Sequence, residues 1–289
     1  EAFRRKLWTA PEGTTVLPRS DTQRQVVRQP RLQWYAVRCD ELGMAFEAQE
    51  TLPKMTREEQ DKYYRRHKGR RRNAVSLARN VADPNDTRRY VLKTYGSMSS
   101  FMREQAAFQF INDDRFPLPI CWEMRKDFPT MVFEYIDAQV SSEYIKAYAA
   151  QHHNNNTTIC AQMVLLITQV LLALIYLHSL GFVHGDIKLD NILIDKNGNV
   201  HIIDLDMATP VPLAGPNRGT EPFKAPELNG VVPGPIGKGI DFWSVGVVFL
   251  YWYCAMSAGA ALGKGLTNEA QQYVNYRAFS FDRSELRMD

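Results

Sequence analysis

The chain has 289 residues, 45% hydrophobic and 23% charged, which are ordinary globular values for a chain longer than the usual domain of roughly 100–200 residues. They exclude a disordered tail, a collagen-like fibre and a pure coiled coil, and they suggest two lobes or one large domain. With 35 Lys+Arg against 32 Asp+Glu, the net charge of +3 is too small for general nucleic-acid affinity. Cys39, Cys121, Cys160 and Cys254 form no C-x-x-C pair, so spacing gives no structural zinc site and leaves disulfide pairing open.

Residues 1–54 mix Pro11, Pro18, Pro30 and Pro53 with arginines and short apolar runs, and read as an N-terminal extension. Their start, Glu1 to Ala10, carries neither an initiator Met nor an apolar signal core, so it reads as a trimmed segment that does not reveal a compartment. Thr56-Arg57-Glu58-Glu59 has the form of a capping box and predicts a helix running into the basic stretch Arg65, Arg66, Lys68, Arg70, Arg71 and Arg72. Such a stretch reads as a solvated face, with a membrane surface or an anionic partner as the functional reading. Specific nucleic-acid binding is not expected, because only Tyr63 and Tyr64 interleave it.

After the turn signal Ala82-Asp83-Pro84-Asn85-Asp86, Arg88 to Tyr95 alternates as a strand does, with Val91, Lys93 and Tyr95 on one face. Gly96 to Ser100 precedes a helical run through Phe101, Gln105, Phe108 and Ile111. Extended runs follow around Ile120-Cys121-Trp122 and over Thr130 to Ile136. The polar insert Gln151 to Asn156, with His152 and His153 in a solvated loop, separates a short helix from a long apolar one over about Ile159 to Leu180. That helix is long enough to span a membrane, but Gln162, Thr168, Gln169 and His178 interrupt it, so a buried core helix is expected.

Chemistry concentrates in Phe182-Val183-His184-Gly185-Asp186-Ile187-Lys188-Leu189-Asp190-Asn191, a loop between the long helix and short β runs, and in Asp204 after a second apolar run. Two carboxylates, an amide oxygen and an ammonium in one cleft are the groups phosphoryl transfer needs. Asp186 suits the orientation and deprotonation of an acceptor hydroxyl. Asp204 with the side-chain oxygen of Asn191 provides hard ligands for Mg²⁺. Lys188 suits charge on the transferred group, and Lys93 the non-transferred phosphates.

These residues resemble the protein-kinase family. Tyr90-Val91-Leu92-Lys93 resembles its third-strand lysine motif, His184-Gly185-Asp186 with Lys188 and Asn191 its catalytic loop, and Asp204-Leu205-Asp206 its metal-binding triplet. Ala225-Pro226-Glu227 resembles the end of its activation segment, and Asp241 to Gly246 the start of a large C-lobe helix. The resemblance implies an α+β, two-lobed kinase fold: an extension over residues 1–54, a β-rich N-lobe with hinge over 55–136, and a mainly helical C-lobe over 137–289. It implies a protein serine/threonine kinase using ATP and Mg, since Lys188 lies two residues beyond Asp186.

Further roles follow from the same likeness. Met131 to Ile136 resembles the hinge, with Phe133 as gatekeeper and the backbones of Glu134 and Ile136 facing adenine. Val91 lies above the base and Leu193 below it. Glu104, the sole glutamate between Lys93 and Glu123, is the candidate partner of Lys93. His184 is expected to brace the loop, Thr220 to shape the substrate side near Asp186, and Asp190 to hydrogen-bond within the loop.

Four departures stand out. Between Gly43 and Gly96 there is one glycine, Gly69, so the G-x-G-x-x-G lid is absent and a capped helix is expected in its place. In this the chain is similar to the With-No-Gly-loop kinases secreted by apicomplexan parasites, near the rhoptry kinases, which implies secretion from a parasite organelle and possible association with the vacuolar membrane. Some members are pseudokinases, so a scaffold or binding protein is the alternative function. Gly185 replaces the arginine that binds a phosphorylated activation loop, implying competence without phosphorylation of Thr209. Asp206 stands where the family has glycine and is expected to point to solvent, while Leu205 fills the usual phenylalanine slot. Finally, the 43 residues after Gly246 are few for a C-lobe, and Glu227 has Arg277, Arg283 and Arg287 as candidate partners.

Overall fold

A computed structural model of the protein describes residues 36–52, 73–124, 129–152, 155–215, 218–229 and 236–257. Chain contacts divide it into two units, residues 1–33 and 34–289, and all described residues belong to the second. The expected helix after Thr56, the basic stretch Arg65 to Arg72, His153 and the candidate partners of Glu227 lie outside the described residues.

The N-lobe is a six-stranded antiparallel sheet in the order β1-β2-β3-β4-β6-β5, and its first two strands come from residues expected in the N-terminal extension, because residues 36–52 pair with the strands that follow. Its strands are β1 (Ala36–Cys39), β2 (Met44–Leu52), β3 (Ala74–Asn80), β4 (Tyr90–Thr94), β5 (Pro119–Glu123) and β6 (Thr130–Glu134). β4 is shorter than the alternating run Arg88 to Tyr95. The reason is local: Arg88 turns back to Asp86, donating from Nε to Oδ1 at 2.9 Å and from Nη2 to Oδ2 at 3.0 Å. Tyr90 Oη and Asn80 Nδ2 also donate to Asp86 Oδ2, at 2.6 and 3.2 Å, so this carboxylate ties the β3–β4 turn to both strands.

The outer strands of the sheet meet. A disulfide joins Cys39 on β1 to Cys121 on β5, and the Arg38 amide donates to Glu123 Oε2 at 3.4 Å. The sheet therefore curls around Val37, Phe46, Ala78, Tyr90, Leu92 and Val132. Among the described residues Cys160 is a free, exposed thiol.

Helix α1 (Met98–Phe108) follows β4, capped where Ser97 Oγ accepts from the Ser100 amide at 3.2 Å. It buries Phe101, Glu104 and Ala107, spaced three apart: Phe101 packs with Tyr95 and Met131, Glu104 faces the Leu205 turn, and Ala107 joins the C-lobe core. After β6, strand β7 (Ala138–Val140) leads into α2 (Ser141–Gln151) and α3 (Asn156–Ser179). His152 is not simply solvated: its amide caps α2 on the Tyr148 carbonyl and its ring stacks on Tyr148 at 4.2 Å.

α3 buries Ile159, Met163, Leu166, Val170, Leu174 and Leu177, a stripe at helical spacing. It is the one helix among the described residues long and apolar enough to cross a membrane, yet from Met163 to Leu177 that stripe lies in the C-lobe core. Its other face leaves Val164, Leu165, Leu172 and Ile175 exposed. Helix α4 (Gly239–Ser257) packs on α2 and α3 through Val248 and Trp252. The short strands β8 (Phe182–Val183), β9 (Ile192–Asp195), β10 (Val200–Ile202) and β11 (Thr209–Pro210) lie over this helical base and present the loops between them to the N-lobe. Each fully buried leucine side chain contributes about 1.5–3 kcal/mol, so this core fixes the loops firmly.

Candidate active site

Lys93 is almost wholly buried on β4 and reaches two carboxylates. Its Nζ pairs with Glu104 Oε2 from α1, and with Asp204 Oδ1 at 2.5 Å from the turn after β10. Glu104 also accepts from the Leu205 amide at 3.1 Å and from Tyr95 Oη at 2.7 Å. The Tyr95 ring lies under the ammonium, 5.0 Å from Nζ to its centroid. Burial alone favours neutral Lys93, but Glu104, Asp204 and Asp206 outweigh it and hold the proton above the ordinary lysine range. Burial likewise opposes the charge of Asp204, and Lys93 overcomes it, lowering that carboxyl's pKa.

Asp204 is the one non-glycine residue with positive φ among the described residues, at 67°. A left-handed conformation costs about 1–2 kcal/mol for an L-residue, and the Lys93 pair and the Leu205 amide bond offset it. Leu205 fills an apolar slot at 1% exposure. Asp206 does not point to solvent: its Oδ2 accepts from Asn73 Nδ2 at 2.9 Å, and Arg103 Nε donates to its carbonyl at 2.6 Å. Burial and the neighbouring Asp204 push its carboxyl up to about 7.

The C-lobe side is assembled on Asp241. Its two carboxylate oxygens accept from the amides of Gly185 and His184, each at 2.8 Å, and His178 Nε2 contacts Oδ2 at 2.8 Å. The loop is thus threaded around a buried anion, and His184, wholly buried, spans Asp241, the Asp186 amide and the Ile203 carbonyl. Asp186 faces the cleft with Lys188 Nζ at 2.7 Å on Oδ2 and Thr220 Oγ1 at 2.7 Å on Oδ1. Lys188 Nζ lies 3.3 Å from that same hydroxyl. Asn191 donates its amide nitrogen to the Asp186 carbonyl at 2.9 Å, which leaves its oxygen for a cation. Asp190 is exposed and has no hydrogen-bond partner among the described residues: it faces out of the short turn Leu189–Asn191.

Gly185 has φ 78°, and a Cβ there would lie 3.2 Å from the Met207 carbonyl oxygen. The space an arginine would need is taken by Arg218, whose Nη1 donates to Met207 O at 2.6 Å and Thr209 Oγ1 at 2.5 Å. Burial and the nearby Arg103 lower the pKa of Arg218, and its guanidinium holds the segment through the bonds to Met207 and Thr209. Thr209 is 4% exposed.

The residues matched to the hinge lie on β6 and just beyond. Val91 pairs with Phe133 across β4 and β6, and Phe133 packs edge-on against Phe108 at 5.9 Å. The Ile136 carbonyl already accepts from Ala138, so its N–H is the group it can offer, and Glu134 lies opposite Tyr90. Leu193 is half-buried on β9, opposite Val140 of β7.

With this geometry in place, comparison with known proteins finds a match to the protein kinase domain over residues 53–278. The chain belongs to the protein kinase domain family. It has the two-lobed α+β kinase fold, with a β-rich N-lobe and a mainly helical C-lobe. Relatives include the serine/threonine-protein kinase CHK1 of Mycosarcoma maydis, 36% identical over 39% of this chain. Others are the serine/threonine-protein kinase 32C of Mus musculus, 41% identical over 29%, and the cAMP-dependent protein kinase type 3 of Saccharomyces cerevisiae, 43% identical over 28%. This kinase chain spans 18%, 18% and 20% of their respective lengths.

Four residues of the kinase site escaped the sequence reading of its roles: Tyr95, Asn73, Arg218 and Asp241. Asp241 stood in a quoted motif, but nothing local showed that its carboxylate would hold a loop more than fifty residues earlier. Tyr95 carried a signal, since it shares the strand face of Lys93. Asn73 carried none, because its partner Asp206 lies 133 residues further on, and Arg218 carried none, because nothing in the segment's local pattern marks a partner for it at Met207 or Thr209.

Proposed function

We propose that the chain is the catalytic domain of an ATP- and Mg-dependent protein serine/threonine kinase that lacks the glycine-rich lid. The observation that carries this reading is the convergence on Lys93 of Glu104 and Asp204, 11 and 111 residues away, beside the Asp186–Lys188–Thr220 chain. Such a buried, doubly paired lysine is costly as a purely structural device, because desolvation offsets most of the attraction. It suits a site where phosphate oxygens join the cluster.

Lys93 binds the non-transferred phosphates, and Glu104 and Tyr95 hold it in place. The adenine ring fits between Val91 and Leu193, with Phe133 behind it and the backbones of Glu134 and Ile136 at its edge. Asp204 and Asn191 offer hard oxygens, a donor set that fits Mg²⁺, and the bound ion supplies positive charge at the phosphates. Asp186 orients the acceptor hydroxyl and takes its proton, while Lys188 neutralises charge on the transferred group. The arginine contacts at Met207 and Thr209 support a segment ordered without phosphorylation.

The single glycine between Gly43 and Gly96 supports a place beside the With-No-Gly-loop kinases. Register adds to this: Leu52 pairs with Val75, and Val75 with Lys93, so the connection over residues 53–72 leaves the sheet where a phosphate lid would begin. The Cys39–Cys121 disulfide supports an oxidising, secretory compartment. Arg65 to Arg72 form the proposed anionic-surface contact, and liposome flotation of a triple alanine variant at Arg70, Arg71 and Arg72 is expected to show reduced partition.

The test is calorimetry of ATP with and without Mg²⁺, joined to phosphate transfer onto a mixed protein substrate. Wild type is expected to bind in a metal-dependent way that Asp204→Asn loses. Asp186→Asn is expected to keep binding and to lose about 10²–10⁴-fold in transfer. No binding at millimolar ATP would instead leave a pseudokinase scaffold.

A further inference from the structure

Two departures from the kinase pattern meet in one hydrogen bond. Asn73 ends the glycine-poor connection between β2 and β3, and Asp206 holds the triplet position where the family has glycine. Asn73 Nδ2 donates to Asp206 Oδ2 at 2.9 Å, and Asn73 Oδ1 accepts from the Gly96 amide at 3.0 Å. Both ends of the amide are used, on two elements that neighbour neither each other nor Asn73 in sequence. Arg103 of α1 completes the arrangement by donating to the Asp206 carbonyl. Asn73 thereby touches the root of the hairpin, the entry to α1 and the metal-binding turn at once.

We infer that Asn73 and Asp206 form a clasp that fixes the β2–β3 hairpin against the Asp204 turn, giving the nucleotide phosphates the positional restraint that a glycine-rich lid gives elsewhere. The inference rests on the nucleotide site proposed above. A glycine lid restrains phosphates through backbone amides that close on them. Without paired glycines, the sheet must be held in place by other means, and the clasp acts two residues from Val75, the cross-strand partner of Lys93. At its other end it adjoins Asp204 by two residues. A glycine at 206 has no side chain to accept from Asn73, so the two departures account for each other. Because Asp206 Oδ2 is turned to the hairpin, both are positioning residues, acting through Lys93 and Asp204.

The bond is directional and can be reversed. Asn73→Asp removes the amide donor while keeping an acceptor for Gly96, and all readings are taken at alkaline pH, well above the Asp206 value of about 7, so that the two carboxylates face each other without a shared proton. Adding Asp206→Asn restores a donor and an acceptor with their places exchanged. Three quantities are read on the full chain: Mg-dependent ATP binding by calorimetry, amide exchange at Leu205 and Gly96 without nucleotide, and the melting temperature as a fold control. Asn73→Asp is expected to weaken ATP binding by about tenfold and to accelerate exchange at Leu205. The double variant is expected to recover both to within about threefold of wild type.

Wild-type affinity in Asn73→Asp, or a double variant no better than the single one, overturns the clasp. Unchanged exchange at Leu205 overturns it without reference to nucleotide. Wild-type protein that binds no nucleotide overturns the kinase reading and the clasp's role toward phosphates together. The two failures are distinguished because failure of the clasp alone leaves wild-type binding intact.

Discussion

Around Asp186 the polar groups come from one short loop, from Thr220 and from Asp241 behind it, all within the C-lobe. Around Lys93 they come from β4, α1, the turn after β10 and the end of the β2–β3 connection, drawn from both lobes. The first half rests on a core of helices and is held by backbone amides on a buried anion. The second is centred on side chains meeting side chains, joined by single backbone groups of Leu205, Gly96 and Asp206. A loop built the first way keeps its shape with the cleft empty, whereas a cluster built the second way depends on every partner that reaches it.

The largest effect should come from attacking the C-lobe half at its base. Asp241→Ala strands the amides of His184 and Gly185 with the buried His178, and should cost about 3–5 kcal/mol in urea unfolding. A loss under about 1 kcal/mol would show that the loop needs no such anchor. Opening the N-lobe instead, by Cys39→Ser with Cys121→Ser, should lower its stability by about 2–4 kcal/mol. Amide exchange in the C-lobe core around Trp252 should then report a transition later than that of the N-lobe amides. Coincident transitions would merge the two regions into one cooperative unit.

A finer cut is Tyr95→Phe, which removes the hydroxyl on Glu104 and keeps the ring under Lys93. It should weaken ATP binding by about three- to tenfold with the hinge unaltered, measured against an adenosine control that lacks phosphates. The smallest effect is the acid response of the β3–β4 turn. Hydrogen bonds from Arg88 and then Tyr90 hold the Asp86 carboxyl well below the usual carboxylate range. Its contribution is therefore complete above its unfolded value, about 3.9, and is lost as pH falls through the folded value. Melting scans from pH 6 to pH 2 should show a fall for wild type that is shallower for Asp86→Asn.

The same contrast explains what the sequence revealed. The run His184 to Asn191 was legible because six residues of contiguous chain carry the base, the ammonium and the amide, and the loop folds within itself. Lys93 and Glu104 were legible through strand alternation and through the scarcity of glutamates. The hinge was legible only by resemblance. Asp206 was misread because its partner, Asn73, lies 133 residues earlier. Gly185 was legible as a departure, but Arg218, which occupies the space of the missing arginine, lies in the activation segment, where nothing in the local pattern marks it. The strand starts at Tyr90 and not at Arg88 because the Arg88 side chain folds back on the turn to Asp86, which alternation does not register.

The bond between Cys39 and Cys121 turns the chain from residue 39 to residue 121 into a covalent ring with Lys93 and Glu104 on it, and with the basic segment 53–72 as one of its arcs. A protease that cuts this arc at any of its arginines opens the ring and releases nothing. The nicked molecule gains only one water and keeps every residue of the cleft, and it parts into two pieces when it is both reduced and unfolded. Electrophoresis with and without thiol would therefore show the wound only in the reduced lane.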